Sequence, residues 1–91
     1  MNAERRNRIE NLSTQLRGIQ EQLTEIKDVL SNIRDDEQEA HDNMPEPIQA
    51  GAKGDAAQEC VDQLSDAVDG LETLESEAGN AIEALENATN N

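Results

Sequence analysis

The sequence predicts an all-α protein: an antiparallel two-helix coiled-coil hairpin that dimerises into a four-helix bundle. Three observations predict it. Apolar residues fall at Ile9, Leu12, Leu16, Ile19, Leu23, Ile26, Leu30 and Ile33, a 3,4 alternation that holds one narrow seam toward a partner helix. The same alternation returns at Ala57, Cys60, Leu64, Ala67, Leu71, Leu74, Ala78, Ala81, Leu85 and Ala88. Between the two runs stand both prolines of the chain, Pro45 and Pro47, which push the residues before them out of the helical region.

With 91 residues the chain is read as one domain, 1–91, too small for a comfortable core unless it is helical or oligomeric. It contains no Phe, Trp or Tyr. Leu, Ile, Val and Ala must therefore build the core, and neither base stacking nor an aromatic cage is available to it.

The first helix spans about 3–41, with Asn2 as its cap. Gly18 falls outside the seam, where it costs about 1 kcal/mol relative to Ala. Arg5, Arg6 and Arg8 crowd the first turn, the wrong end of the macrodipole for cations, and call for compensation from an acidic stretch of the neighbouring helix. After Ile33 the seam turns polar. Glu37 stands where a core residue is due, inside Asp35-Asp36-Glu37-Gln38-Glu39, and acids near a helix C-terminus oppose the dipole as well. Two local rules fail at one place, which marks a candidate functional region.

The connector covers about 42–55, with Gly51 and Gly54 as flexible points; helix-to-helix links are usually roughly 2–8 residues long. The second helix spans about 56–88, opened by a capping-box variant of Asp55 and Gln58. Val61, Val68 and Ile82 widen its apolar strip on one flank, and with Val29 they form the oligomerisation surface that a second hairpin would cover. Folding the chain back so that facing residue numbers sum to about 97 sets Ile33 against Leu64, Ile26 against Leu71 and Leu12 against Leu85. In that register Glu37 faces Cys60 and Lys27 reaches Glu75.

The formal charge of −14 is unevenly placed. Residues 1–34 hold six Lys/Arg against five Asp/Glu, whereas residues 35–91 hold Lys53 against sixteen acids. Such a surface repels nucleic acid and anionic lipid and fits a basic protein partner. Glu59, Asp62, Asp66, Asp69, Glu72, Glu75, Glu83 and Glu86 recur at three- and four-residue steps, about 5 Å apart along a helix, a spacing comparable with that of strand phosphates. The residues assigned to partner binding are Glu37, Glu39, Asp42, Asn43, Glu46, Asp62, Asp66 and Asp69.

Nothing in the sequence argues for catalysis. His41 is a lone helix-end residue, Cys60 is a small core residue without a partner for a disulfide or a zinc site, and no enzyme and no cofactor are expected. The oxygen-rich run 35–43 lacks the ligand alternation of an EF-hand, and no Glu-x-x-His pair occurs, so no metal site is expected either. Neither a signal peptide nor a membrane span is visible, which places the expected location in the cytoplasm.

Arg5-Arg6 ahead of a Leu/Ile heptad, then Glu37-Gln38-Glu39-Ala40-His41-Asp42-Asn43-Met44-Pro45-Glu46, then Leu64-Ser65-Asp66-Ala67-Val68 and Leu71-Glu72, resemble a loose group of short acidic helical-hairpin proteins encoded by tailed bacteriophages. The resemblance covers nearly the whole chain, and its most specific part is the Asp42-Asn43-Met44-Pro45-Glu46 connector. It implies a phage origin and expression in the bacterial cytoplasm, where small accessory proteins often antagonise host defence. The expected function is therefore binding and inhibition of a host defence or nucleic-acid-binding protein through the acidic surface, by a homodimer. Two alternatives are an oligomeric sponge for a signalling nucleotide, with Arg5, Arg6 and Arg8 holding the anion, and a purely structural coiled-coil adaptor.

Overall fold

The computed structural model describes residues 1–91 and contains helices only: α1 (Ala3–Asp42), α2 (Glu46–Gln49) and α3 (Ala52–Thr89). It is a helical hairpin whose chain divides into two compact units. A terminal unit joins Met1–Glu25 to Leu71–Asn91, and a connector unit comprises Ile26–Gly70.

In the terminal unit α1 begins where Asn2 caps it, the Arg5 amide donating to Asn2 Oδ1 at 2.8 Å. The neighbouring α3 ends with no basic residue in its last turn. Arg6 supplies the missing cation from α1, its Nε donating to the Thr89 carbonyl at 2.9 Å and its Nη2 to the Asn91 carbonyl at 3.4 Å. Arg6 is thus compensated by the carbonyl end of a helix dipole, where a cation is favoured, rather than by acidic side chains. Further along, Gln20 Nε2 donates to the Glu75 carbonyl at 3.1 Å. Gly79 makes room for that amide, since a Cβ there would stand 3.2 Å from Gln20 Nε2. These contacts set α1 antiparallel to α3, with residue numbers that sum to 95 for Arg6–Thr89 and Gln20–Glu75 and to 97 for Arg6–Asn91, close to the expected sum of about 97.

The seam is turned by one residue. In the terminal unit the less exposed positions of α1 are Arg6, Ile9, Ser13, Leu16, Gln20 and Leu23, while Leu12 and Ile19 remain 52% and 49% exposed. On α3 it is Ile82 that is buried, and Leu74 and Ala81 are exposed. The connector unit repeats the pattern, burying Val61 and Val68 and leaving Ile26 and Ile33 half-exposed and Ala67 exposed. Val61, Val68 and Ile82, expected on an outer flank for a second hairpin, are only 6%, 4% and 4% exposed and so form the interior of the hairpin itself. The physical reason lies in bulk: Val61, Val68 and Ile82 have more apolar surface to remove from water than Cys60, Ala67 and Ala81 beside them. Cys60, expected in the core, is half-buried, as Leu64 and Leu71 are. On α1 the cost is polar seam positions, Ser13 and Gln20 in one unit and Lys27 and Arg34 in the other, all less exposed than the Leu and Ile residues just before them.

The connector is more ordered than its composition suggests. After Asp42 the Met44 amide donates to the His41 carbonyl at 3.1 Å, and Gln49 Nε2 donates to the same carbonyl at 3.0 Å. Pro45, at φ −54° and ψ 141°, caps α2, whose amides of Ile48 and Gln49 both donate to the Pro45 carbonyl. The second long helix then starts at Ala52, earlier than the expected 56, with the Asp55 amide already bonded to the Gly51 carbonyl at 3.0 Å. Asp55 is consequently inside the helix and not its cap, and Gln58 turns instead to Asp62. Gly54 explains the shift. It is buried, and a Cβ on it would come 1.7 Å from the Gln49 carbonyl oxygen, so the first turn of α3 lies directly against the α2 backbone. No residue has a positive φ, and Gly54 serves close approach rather than flexibility.

Two stability outcomes follow. Gly54→Ala forces backbone against backbone and should cost about 2 kcal/mol or more, whereas Gly18→Ala, with open space around the new Cβ, should gain up to about 1 kcal/mol; thermal melts followed by circular dichroism distinguish them. Ser13 is 8% exposed and its Oγ has no hydrogen-bond partner. Ser13→Ala removes that unpaired group and should raise stability by about 1 kcal/mol in the same melts.

Candidate protein-binding surfaces

The connector unit concentrates charge. Twelve carboxylates stand there against Lys27, Arg34 and Lys53, a net of −9 of the chain's −14. Glu39, Asp42, Glu46, Asp62, Asp66 and Asp69 are exposed, as are Asp35, Asp36, Asp55 and Glu59. Helix periodicity and the folded-back connector bring these groups together within one short unit.

Each expected partner-binding residue has a definite setting. Glu37 is half-buried at a seam position. Asn43 is exposed in the turn, where its amide continues the helical pattern to the Glu39 carbonyl at 3.0 Å. Asp62 accepts from Gln58 Nε2 at 3.0 Å, one helical turn back. Asp42 sits between two donors, with His41 Nδ1 3.1 Å and Gln38 Nε2 3.0 Å from its Oδ1. The hydrogen bond from His41, then that from Gln38, hold the Asp42 carboxyl below its ordinary value of 3.8, because both stabilise the charged form. Glu75, counted among the outward acids of the second helix, is half-buried at a seam position instead.

The three N-terminal arginines do not act as one cluster. Arg6 is committed to the carbonyl end of α3, while Arg5 and Arg8 flank a shallow hollow of about 230 Å³ completed by Ile9 and Leu12. On α1 of the same unit Arg17 pairs with Glu86, beside a larger hollow of about 380 Å³ also lined by Glu10, Ser13 and Asn90. Val29, the fourth residue expected at an oligomer interface, is 58% exposed. Beside it in the heptads stands a column that sequence reasoning assigned to the interior: Leu12 and Ile19 in the terminal unit, Ile26 and Ile33 in the connector unit. Comparing the bulk of Val61, Val68 and Ile82 with that of their neighbours would have found this column from sequence.

No three His, Cys, Asp or Glu side chains converge as metal ligands, and no helix is long and apolar enough to cross a membrane.

The Asp42 setting gives a pH dependence with a defined sign. A carboxyl whose folded pKa is depressed adds stability above its unfolded value and loses it as pH falls through the folded value. The Asp42 titration midpoint should therefore lie below 3.8, and His41→Ala should move it upward; carbon-detected NMR of the carboxyl reads both. Comparison with known proteins found no matching family model, no similar curated protein and no similar solved structure.

Proposed function

We propose that the protein is a small acidic accessory protein of the kind tailed phages encode, which binds a basic protein of the bacterial host and blocks it. The observation that carries this reading is the charge of the connector unit: a net of −9 on 45 contiguous residues, much of it on exposed side chains held by helices. Carboxylates fixed on a helical frame bind a basic surface without first losing the conformational freedom of a disordered acidic tail. Spaced about 5 Å apart, they also match the cationic groove of a protein that handles nucleic acid, a host defence nuclease or a repressor. The proposed working form is a homodimer, two hairpins in a four-helix bundle, acting in the cytoplasm of the infected cell.

Capture of host proteins from a bacterial lysate on the immobilised chain tests the reading. A basic protein should be retained at low salt and released by about 0.5 M salt, where screening acts within a few ångströms. Asp62→Asn/Asp66→Asn should reduce its retention at least about fivefold without changing the helix content, since removing two contact charges weakens a complementary interface. Retention that ignores both salt and these substitutions, or no retained protein at all, speaks for a structural adaptor instead.

A further inference from the structure

The hairpin leaves one apolar column uncovered. Leu12, Ile19, Ile26 and Ile33 recur every seven residues along α1 and are 52%, 49%, 50% and 47% exposed, with Val29 at 58% beside them. In both units the column stands one residue before the seam on both helices: Ile19 before Gln20 and Leu74 before Glu75, Ile26 before Lys27 and Ala67 before Val68. In an antiparallel pair that shared offset puts the exposed residues of α1 and α3 on the same side. The other side of the terminal unit is polar, carrying Arg17 and Glu86.

The exposed area leaves room for a partner of standard size. The chain exposes 6337 Å², whereas a compact chain of this mass exposes about 5,200 Å². The excess of roughly 1,100 Å² exceeds the approximately 800 Å² per partner of a standard interface.

We infer that the occupant is a second copy of this chain, packed antiparallel through that column. Reversal sets Leu12 level with Ile33 and Ile19 with Ile26 of the other copy, so the terminal unit of each copy meets the connector unit of the other. Each Leu or Ile of the column then meets an Ile or Leu of the other copy. The neighbouring column of α1, seven residues apart at Arg8, Gln15, Gln22, Val29 and Asp36, reverses onto itself as well. It brings Arg8 of each copy level with Asp36 of the other and places the two Gln22 residues together at the two-fold axis. Parallel packing would instead set two connector units side by side, each with a net charge of −9. Like charge rejects that arrangement, and the exposed Arg8 and Asp36 favour the reversed one. The inference rests on the homodimer proposed above and adds its face and sense.

Sedimentation velocity on the full chain, with cross-linking, tests it. The wild type should sediment as a dimer at micromolar concentration. Ile19→Glu, outside the hairpin interior, should give a helical monomer. Arg8→Glu should weaken the dimer about tenfold, and Arg8→Glu/Asp36→Arg should restore it to within about threefold, as expected for an exposed pair made twice. In a Cys60→Ser background, Gln22→Cys should be joined between copies by a short bis-maleimide, and Thr14→Cys, on the polar side, should not. A monomeric wild type overturns both the homodimer and this face. A dimer that survives Ile19→Glu and Arg8→Glu, or that cross-links through Thr14→Cys, keeps the homodimer and overturns the face.

Discussion

Which column of each helix turns inward is the constraint on which the other features depend. Both helices carry a 3,4 apolar alternation, and each alternation has two neighbouring columns that could complete the seam. On α3 the choice lies between Val61, Val68 and Ile82 on one side and Cys60, Ala67 and Ala81 on the other, and the bulkier set is buried. Once α3 is turned that way, α1 meets it with Ser13, Gln20, Lys27 and Arg34, and its isoleucines are left half in water. Considered by itself the hairpin has poor packing: no large side chain is fully buried, and a hydroxyl is sealed in without a partner. Such a thin interior leaves a small helical unit with little stability of its own, the shortfall that the proposed association would make up.

The polar seam positions do more than tolerate burial. Gln20 bonds a backbone carbonyl of α3 across a gap that Gly79 leaves open, and Arg6 closes the carbonyl end of the same helix. Such contacts fix register, which Leu and Ala alone specify weakly because one heptad step resembles the next. The same physics accounts for the connector: Gly54 lets α3 start against the backbone of α2, and His41 is held through its carbonyl by Gln49.

The all-helical hairpin was legible in the sequence because heptad spacing and two prolines are local signals. The direction in which each helix faces was not. Periodicity locates an apolar strip within about one residue, while a coiled-coil seam is narrower than the strip, so the final turn is decided by bulk across the interface. Leu12 and Val61 were exchanged between inside and outside by that single step. The start of α3 was missed for a similar reason: Asp55 and Gln58 form a valid capping pattern, but the close approach at Gly54 depends on a segment, Gln49, that no helix-capping rule considers. Of the acidic surface, the identities and spacing were readable at Asp62 and Asp66; the gathering of acids from α1, α2 and α3 into one unit needed the connector to be folded back.

The division into units also orders how the protein is made. The connector unit is a continuous stretch, Ile26–Gly70, so its helices meet across a short chain separation. The terminal unit joins the first residues to the last, and the clasp of Arg6 on Thr89 has no partner until synthesis has passed that point. The acidic unit therefore needs only local contacts to close, and Leu12 and Ile19 are framed by α3 only once the two ends of the chain have met.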